Sequence, residues 1–287
     1  MAPVEELAAA KINLDLWVVG RRADGYHEFD SLVVFAPPCD RLRFGAGGEL
    51  TLEVAGPFAA ALAGEPDNLV LRAARRLAAR VGRAPEARIT LDKRIPVAAG
   101  LGGGSADAAA TLRGLNRLWR LGLSAADLAP LAAGLGADVP VCLASRPTRM
   151  RGVGDRLEPI DGLPELALLL VNPRQPVATA AVFAGLAGPF GPPPELGPPP
   201  GERGLLLEWL RARANHLEAP ARRLLPAIGE VLEALASQPG CALARMSGSG
   251  ATCLGLFDEE GALAPAAAAL AGAHPQWWVA TTTTAAP

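Results

Sequence analysis

The chain has 287 residues and a formal net charge of −2, with 20% of its residues charged and 50% hydrophobic. That length has room for two modest domains and a sizeable core, and the near-neutral balance offers no general electrostatic case for nucleic acid or an acidic membrane surface. The longest apolar runs are broken by Lys11, Pro164, Glu165 or further prolines, so no segment reads as a membrane span.

Residues 8–19 alternate. Ile12, Leu14, Leu16 and Val18 point one way; Lys11, Asn13, Asp15 and Trp17 point the other. The spacing predicts a strand with Lys11 and Asn13 on one face, about 7 Å apart. Asp24-Gly25 is a turn signal, and Tyr26-His27-Glu28-Phe29 opens a second extended run to Phe35, so a hairpin is expected. Strands follow near 41–45 and 50–55, and a helix from 67 to 81. Residues 87–95 alternate about Ile89 and Leu91 and predict another strand, with Lys93 reading as a solvated charge at its end.

The next stretch is the most informative: Pro96-Val97-Ala98-Ala99-Gly100-Leu101-Gly102-Gly103-Gly104-Ser105-Ala106. Four glycines in five positions remove the Cβ atoms that keep a ligand away from the main chain. The stretch runs into a helix marked by Ala108, Thr111, Leu112, Leu115, Leu118 and Trp119, whose N-terminus offers free N–H groups and a positive dipole end to a phosphate. No Gly-Lys-Ser/Thr follows, so this is not the common P-loop. Ser105 is placed either to cap that helix or to touch a phosphate oxygen or a metal.

Ser124 caps a short helix at 125–135, and the segment Gly134–Val141 then changes direction. Asp138 stands before Pro140, either as a plain N-cap or as a functional carboxylate. Residues 166–172 form a buried strand, and the Pro/Gly-rich segment 185–204 reads as a long surface loop or partly disordered insert. Helices are expected at 205–217 and 221–237, the second with Leu224, Ile228, Val231, Leu232 and Leu235 on one stripe. A second glycine turn, Met246–Thr252, separates two strand-like runs. A helix at 262–272 and a strand at Trp277–Thr283 end the pattern, with residues after 283 frayed.

Arginine is used almost everywhere, and the only lysines are Lys11 and Lys93. Cys39, Cys142, Cys241 and Cys253 lack metal-type spacing, and no signal peptide is evident; reduced thiols in a cytoplasm are the simplest expectation.

Three segments resemble the GHMP kinases, Lys11-Ile12-Asn13-Leu14, the loop Pro96–Ala106 and Ser247-Gly248-Ser249-Gly250, while Ala10-Lys11-Ile12-Asn13-Leu14, Arg22-Ala23-Asp24-Gly25-Tyr26-His27, Gly100–Ser105 and Gly136-Ala137-Asp138-Val139-Pro140 are similar to one branch of that family. The resemblance spans most of the chain. It implies an α+β fold of two domains, 1–158 like ribosomal protein S5 domain 2 and 159–287 ferredoxin-like, with the active site in the cleft between them. It also implies a cytoplasmic enzyme, a monomer or homodimer, that uses ATP with Mg2+ on a small-molecule alcohol. Within the family the likeness is to members acting on 4-diphosphocytidyl-2-C-methyl-D-erythritol, phosphorylating its 2-hydroxyl on the non-mevalonate route to isopentenyl and dimethylallyl diphosphate.

By the same resemblance Asp138 is the general base and Lys11 steadies the emerging alkoxide, a task suited to a compact ammonium. The loop Pro96–Ala106 binds ATP, and Ser247, Gly248, Ser249 and Gly250 support the phosphate site. Tyr26 would stack on cytosine and His27 would bond its polar edge. Asn13, Thr179 and Phe183 are further substrate contacts. Ser105 is a possible magnesium ligand, the phosphates supplying most of the coordination. In Asn215-His216-Leu217-Glu218, histidine stands where the family pattern leads one to expect an acidic residue. Two other readings compete: a GHMP kinase for mevalonate-type or amino-acid alcohols, which offer no base for Tyr26 and His27, and a non-catalytic nucleotide binder, which would not need Asp138.

Overall fold

Strands β1 (Val4–Asn13), β2 (Trp17–Arg21) and β3 (His27–Gly45) open the chain. They are seen in a computed structural model that describes residues 3–64 and 67–284. The chain divides into two units that interleave in sequence. One comprises Met1–Lys11, Pro38–Val97 and Gly102–Ser145; the other comprises Ile12–Pro37, Ala98–Leu101 and Arg146–Pro287. Strands β1 and β3 therefore each contribute residues to both.

In the first unit, strand β4 (Leu50–Ala55) runs parallel to β5 (Ala87–Asp92), which pairs antiparallel with residues 41–45 of β3. Four helices belong to this unit: α1 (Leu69–Arg80), α2 (Gly103–Leu118), α3 (Ala125–Ala133) and α4 (Val139–Ala144). The Asn68 side chain caps α1 by accepting the Val70 N–H at 2.9 Å. Ser124 caps α3 as expected, in a reciprocal pair with Asp127. Helix α2 buries a face of small residues, Ala106, Ala108, Ala109 and Ala110, and Gly114 leaves room for the ring of Phe44 where a Cβ would not fit. Helices α1 and α4 both pack on α2.

In the second unit, β2 and β3 form the expected hairpin, Arg21 opposite His27, around a turn in which Gly25 has φ +90. Residues 29–33 of β3 pair with β6 (Thr148–Gly152), and β6 pairs with β7 (Arg156–Pro159). The rest of this unit holds strands β8 (Ala167–Asn172), β9 (Cys241–Met246), β10 (Cys253–Phe257) and β11 (Trp278–Thr283). Its helices are α5 (Thr179–Ala184), α6 (Arg203–Arg211), α7 (Glu218–Leu224), α8 (Ala227–Ala236) and α9 (Leu263–Ala273). The antiparallel sheet order β11-β8-β10-β9, with helices before β9 and before β11, is the ferredoxin-like arrangement. Leu169, Val171, Ile228, Val231, Leu235, Phe257 and Leu270 fill its core.

Several elements differ from expectation. The run 8–19 is two strands, because β1 stops at Asn13 and β2 begins at Trp17. Lys11, Asn13 and Asp15 on its polar face are all buried. Strand β3 continues through Pro37-Pro38, which fall between the residues paired with β6 and those paired with β5, where no ladder N–H to those strands is lost. The expected helix 221–237 breaks at Leu225-Pro226 because proline cannot carry a helix interior; Pro226 instead opens α8. Strands β6 and β7 and helices α4 and α5, six residues or fewer, were too short to show a period. Fraying is expected after Thr283, but Thr284 is tied to Leu166, its N–H donating to Leu166 O at 3.1 Å and its Oγ1 accepting the Leu166 N–H at 2.9 Å; residues 285–287 lie outside the described residues.

Candidate active site

Lys11 and Asp138 meet within the first unit. Helix α4 can begin where it does because Pro140 lies in its first turn, where a missing N–H costs nothing. That puts Asp138 at the N-cap position, yet its side chain makes no capping bond. Its Oδ1 lies 2.8 Å from Lys11 Nζ, with side-chain exposures of 35% and 6%, so a buried ammonium meets a carboxylate open to solvent. The plain capping reading of Asp138 therefore fails, and the pair has the charge-assisted geometry that moves or holds a proton.

The chain's two lysines lie beneath consecutive glycines of the loop. A Cβ at Gly102, where φ is +61, would sit 3.1 Å from Lys11 Cβ, and one at Gly103 would sit 3.1 Å from Lys93 Nζ. Gly102 is the N-cap of α2, and the first intrahelical bond there runs from Ala106 N–H to Gly102 O. The N–H groups of residues 103–105 thus belong to the free end of the helix, with the positive dipole end behind them. Ser105 is third in the helix rather than its cap, and half-buried, which leaves its phosphate or metal alternative standing.

Lys93 corrects the expectation of a solvated charge. It is 2% exposed and donates to Asp40 Oδ2 at 2.5 Å and to Asp107 Oδ2 at 2.6 Å, joining β5 to β3 and to the first turns of α2. Asp40 Oδ1 also accepts the N–H groups of Arg94 and Ile95 at 2.5 and 2.8 Å. Burial pushes Asp107 up to about 8, and the Asp40 charge adds to that against the pull of Lys93. Burial alone would lower Lys93, but the two carboxylates outweigh it and its ammonium is held above the usual value.

In the second unit, the second glycine turn packs against residues 98–101. Gly100 has φ +74, and a Cβ there would lie 2.5 Å from Ser247 O and 2.8 Å from Gly250 O, so only glycine fits. Ser247 Oγ donates to Gly100 O at 3.0 Å and accepts the Asn13 N–H at 3.1 Å, and Thr252 N–H donates to Ala99 O at 3.1 Å. Asn13 Nδ2 donates to Ser31 Oγ at 2.8 Å, while its buried Oδ1 has no hydrogen-bond partner among the described residues. Asn215, which the sequence did not single out, ties the turn down by donating to Met246 O and Gly248 O at 2.7 and 2.8 Å. Thr179 Oγ1 and Ser249 Oγ are 2.8 Å apart.

Tyr26, at the hairpin turn, is 67% exposed. The His27 ring lies 5.4 Å from that of Phe183, stacked at 29°, and 5.6 Å from Phe190, edge-on at 84°. Burial, helped by Arg21, lowers the His27 pKa. His216 does not cap α7: its Nδ1 accepts the Val18 N–H at 3.2 Å, and its ring lies 4.2 Å from Trp17. Burial, with Arg213 adding to it, also lowers His216.

Beneath β1 and β3 of this unit runs an ion network the sequence did not reveal. Arg213 is paired through Nε with Asp15 and through Nη2 with Asp30 Oδ1 at 2.7 Å, and lies over the ring of Trp209. Asp15 also accepts the Leu32 N–H at 2.5 Å, and Asp30 accepts Arg149 Nε and Arg151 Nε at 3.0 and 2.9 Å. Burial raises Asp15 despite Arg213. At Asp30 burial pushes upward too, but hydrogen bonds from Arg149 and Arg151 outweigh it and the carboxyl is lowered. Among the described residues, no group of three His, Cys, Asp or Glu side chains could hold a metal, and no helix is long and apolar enough to cross a membrane.

Family models, curated relatives and solved structures match most of the chain. The model for the GHMP kinases N terminal domain matches residues 68–146, and that for GHMP kinases C terminal matches 201–276. A protein of Rhodospirillum rubrum named 4-diphosphocytidyl-2-C-methyl-D-erythritol kinase is 54% identical over 275 residues, covering 96% of this chain and 90% of its own length. One of the same name from Paracoccus denitrificans is 55% identical over 276 residues, 96% of this chain and 94% of its own. A crystal structure of 4-(cytidine 5'-diphospho)-2C-methyl-D-erythritol kinase superposes with a TM-score of 0.78 at 36% identity, over 97% of this chain and 98% of that one. Homoserine kinase from Cytophaga hutchinsonii, at 18% identity and a TM-score of 0.70 over 100% of this chain and 95% of its own, shares the fold.

Proposed function

This chain belongs to the GHMP kinase family and is an ATP-dependent kinase; we propose that it phosphorylates the 2-hydroxyl of 4-diphosphocytidyl-2-C-methyl-D-erythritol, the compound its relatives are named for. The observation that carries the catalytic part of this reading is the 2.8 Å contact between Lys11 Nζ and Asp138 Oδ1. Asp138 takes the hydroxyl proton as the oxygen attacks the γ-phosphorus, and the bond from that phosphorus to the bridging oxygen of ADP breaks. Lys11 neutralises charge on the carboxylate and the developing alkoxide. The acceptor is a crowded tertiary alcohol, so positioning matters as much as proton transfer.

The free N–H groups at the start of α2, with the loop Pro96–Ala106, hold the phosphates, and the turn Ser247–Gly250 braces the part of that loop around Gly100. Magnesium would come with the nucleotide, phosphate oxygens supplying most of its ligands and the Ser105 hydroxyl being the side chain that would add to them. Tyr26 stacks on the cytosine and His27 bonds its edge. Asn13, Thr179 and Phe183 are further substrate contacts. Each family match falls inside one of the segments 1–158 and 159–287, which supports these as the two functional halves. The four cysteines are free, in keeping with a cytoplasmic enzyme.

The test is Asp138→Asn, which keeps shape and removes the base. Turnover should fall by about 10²–10⁴-fold, while ATP binding measured by calorimetry stays near that of the parent chain. Unchanged turnover would remove Asp138 from the role of base.

A further inference from the structure

The proline-rich segment after α5 reads by composition as a long surface loop or partly disordered insert, yet it delivers a ring to the residue proposed to read the base. Phe190 lies edge-on to His27 at 5.6 Å while Phe183 stacks on the same imidazole at 5.4 Å. Phe183, Leu186 and Phe190 all pack against the apolar core of the second unit. The next residue is fixed as well: Gly191 O accepts the Trp17 Nε1–H at 3.0 Å. Trp17 is itself held, because its ring lies 4.2 Å from His216, whose Nδ1 accepts the Val18 N–H. A chain of contacts thus runs from strand β2 through Trp17 and Gly191 to Phe190, and from Phe190 to the His27 ring at the start of β3.

We infer that Phe190 is a positioning residue for nucleobase recognition: pinned by Trp17, it holds the His27 ring in the one orientation that meets the edge of cytosine. The inference rests on the proposed cytidyl substrate. An imidazole free to rotate about its side-chain bonds offers its two nitrogens to many directions, whereas one stacked on Phe183 and met edge-on by Phe190 offers them to one. A neutral imidazole has one donor and one acceptor nitrogen, which suits cytosine, whose pairing edge carries an amino donor beside acceptors; imidazolium could only donate. The apolar rings and the Arg21 guanidinium, which faces His27 from β2, both favour the neutral form. Three aromatic groups drawn from distant parts of the chain are thereby assigned to one task that Tyr26 and His27 alone would not complete.

The experiment uses the full chain with Phe190→Ala, Phe190→Tyr and Trp17→Phe. Because the chain has only three histidines, the His27 ring can be followed by NMR titration without substrate. In Phe190→Ala its midpoint should move up towards the ordinary value, and KM for 4-diphosphocytidyl-2-C-methyl-D-erythritol should rise about tenfold, with KM for ATP unchanged and kcat lowered less than threefold. Phe190→Tyr, which keeps the ring, should restore both readings. Trp17→Phe, which keeps an aromatic ring beside His216 but loses the bond to Gly191, should shift both in the same direction by less. An unmoved His27 titration, an unmoved substrate KM, or a parallel rise in both KM values would overturn the inference. Failure of the substrate reading itself is separate and shows in the parent chain, as turnover that does not require the cytidine.

Discussion

Replacing Lys93 by Met tests the reading of the loop's foundation. The ammonium sits between two carboxylates that are 0% and 3% exposed, and the substitution leaves both buried without their cation. Removing one partner of a buried ion pair typically costs about 3–5 kcal/mol. Two features of the site hold the loss at the lower end. Asp40 keeps its hydrogen bonds from the Arg94 and Ile95 N–H groups, and Asp107, pushed up to about 8 even beside Lys93, holds its proton at neutral pH with or without the lysine. For a chain of 287 residues the unfolding entropy is about 0.6 kcal/mol per degree, so ~3 kcal/mol corresponds to a Tm lower by about 5 °C. The sign with pH follows from the raised carboxyl. Below its unfolded value near 3.8 both states are protonated and nothing is lost; as pH rises towards 8 the unfolded state ionises freely while the folded one resists. Parent and Lys93→Met share that loss wherever the folded carboxyl keeps its proton, so Asp107 adds to the deficit only as pH rises through about 8, where the parent's carboxyl ionises beside Lys93. Calorimetric scans of both proteins at pH 5, 7 and 8 measure it, and KM for ATP should rise in step as the first turn of α2 loosens. A Tm within 1 °C of the parent at pH 7 would refute this account of the triad.

Other perturbations bear on neighbouring parts. Gly100→Ala forces a side chain into φ +74 and against Ser247 O at 2.5 Å; a loss of about 2 kcal/mol or more in urea unfolding, with weakened ATP binding, is expected. Arg213→Met strands the buried Asp15 carboxylate and should cost about 3–5 kcal/mol at pH 7, and less at pH 5, where Asp15 is more readily protonated. His27 and His216 have lowered folded values, so their contribution is complete above the unfolded value of about 6.5 and is lost as pH falls through the folded ones. His216→Gln should cost about 1 kcal/mol at pH 7, yet lose less stability than the parent between pH 7 and pH 5, by denaturant titration at each pH.

What the sequence disclosed about this site was local. The glycine loop, the hairpin turn at Asp24-Gly25 and the capped helix after Ser124 are each set by residues within a few positions, and their chemistry could be read directly. Alternation put Lys11 and Asn13 on one face, but not that this face is buried. That depends on Arg213, 198 residues from Asp15, and on Ser247, 234 residues from Asn13. Lys93 looked solvated for the same reason, since Asp40 lies 53 positions away. Phe190 sat unremarked in a segment whose prolines and glycines suggested only a loop, because periodicity says nothing about which ring an irregular segment brings to a strand. Asp138 was legible as a residue before a break, and its release from capping only in three dimensions.

The most direct test of the proposed activity is ATP consumption by the purified protein, magnesium present, with 4-diphosphocytidyl-2-C-methyl-D-erythritol compared against the same sugar alcohol lacking its cytidine. The account predicts turnover with the first and almost none with the second; equal rates with both, or none with either, would contradict it.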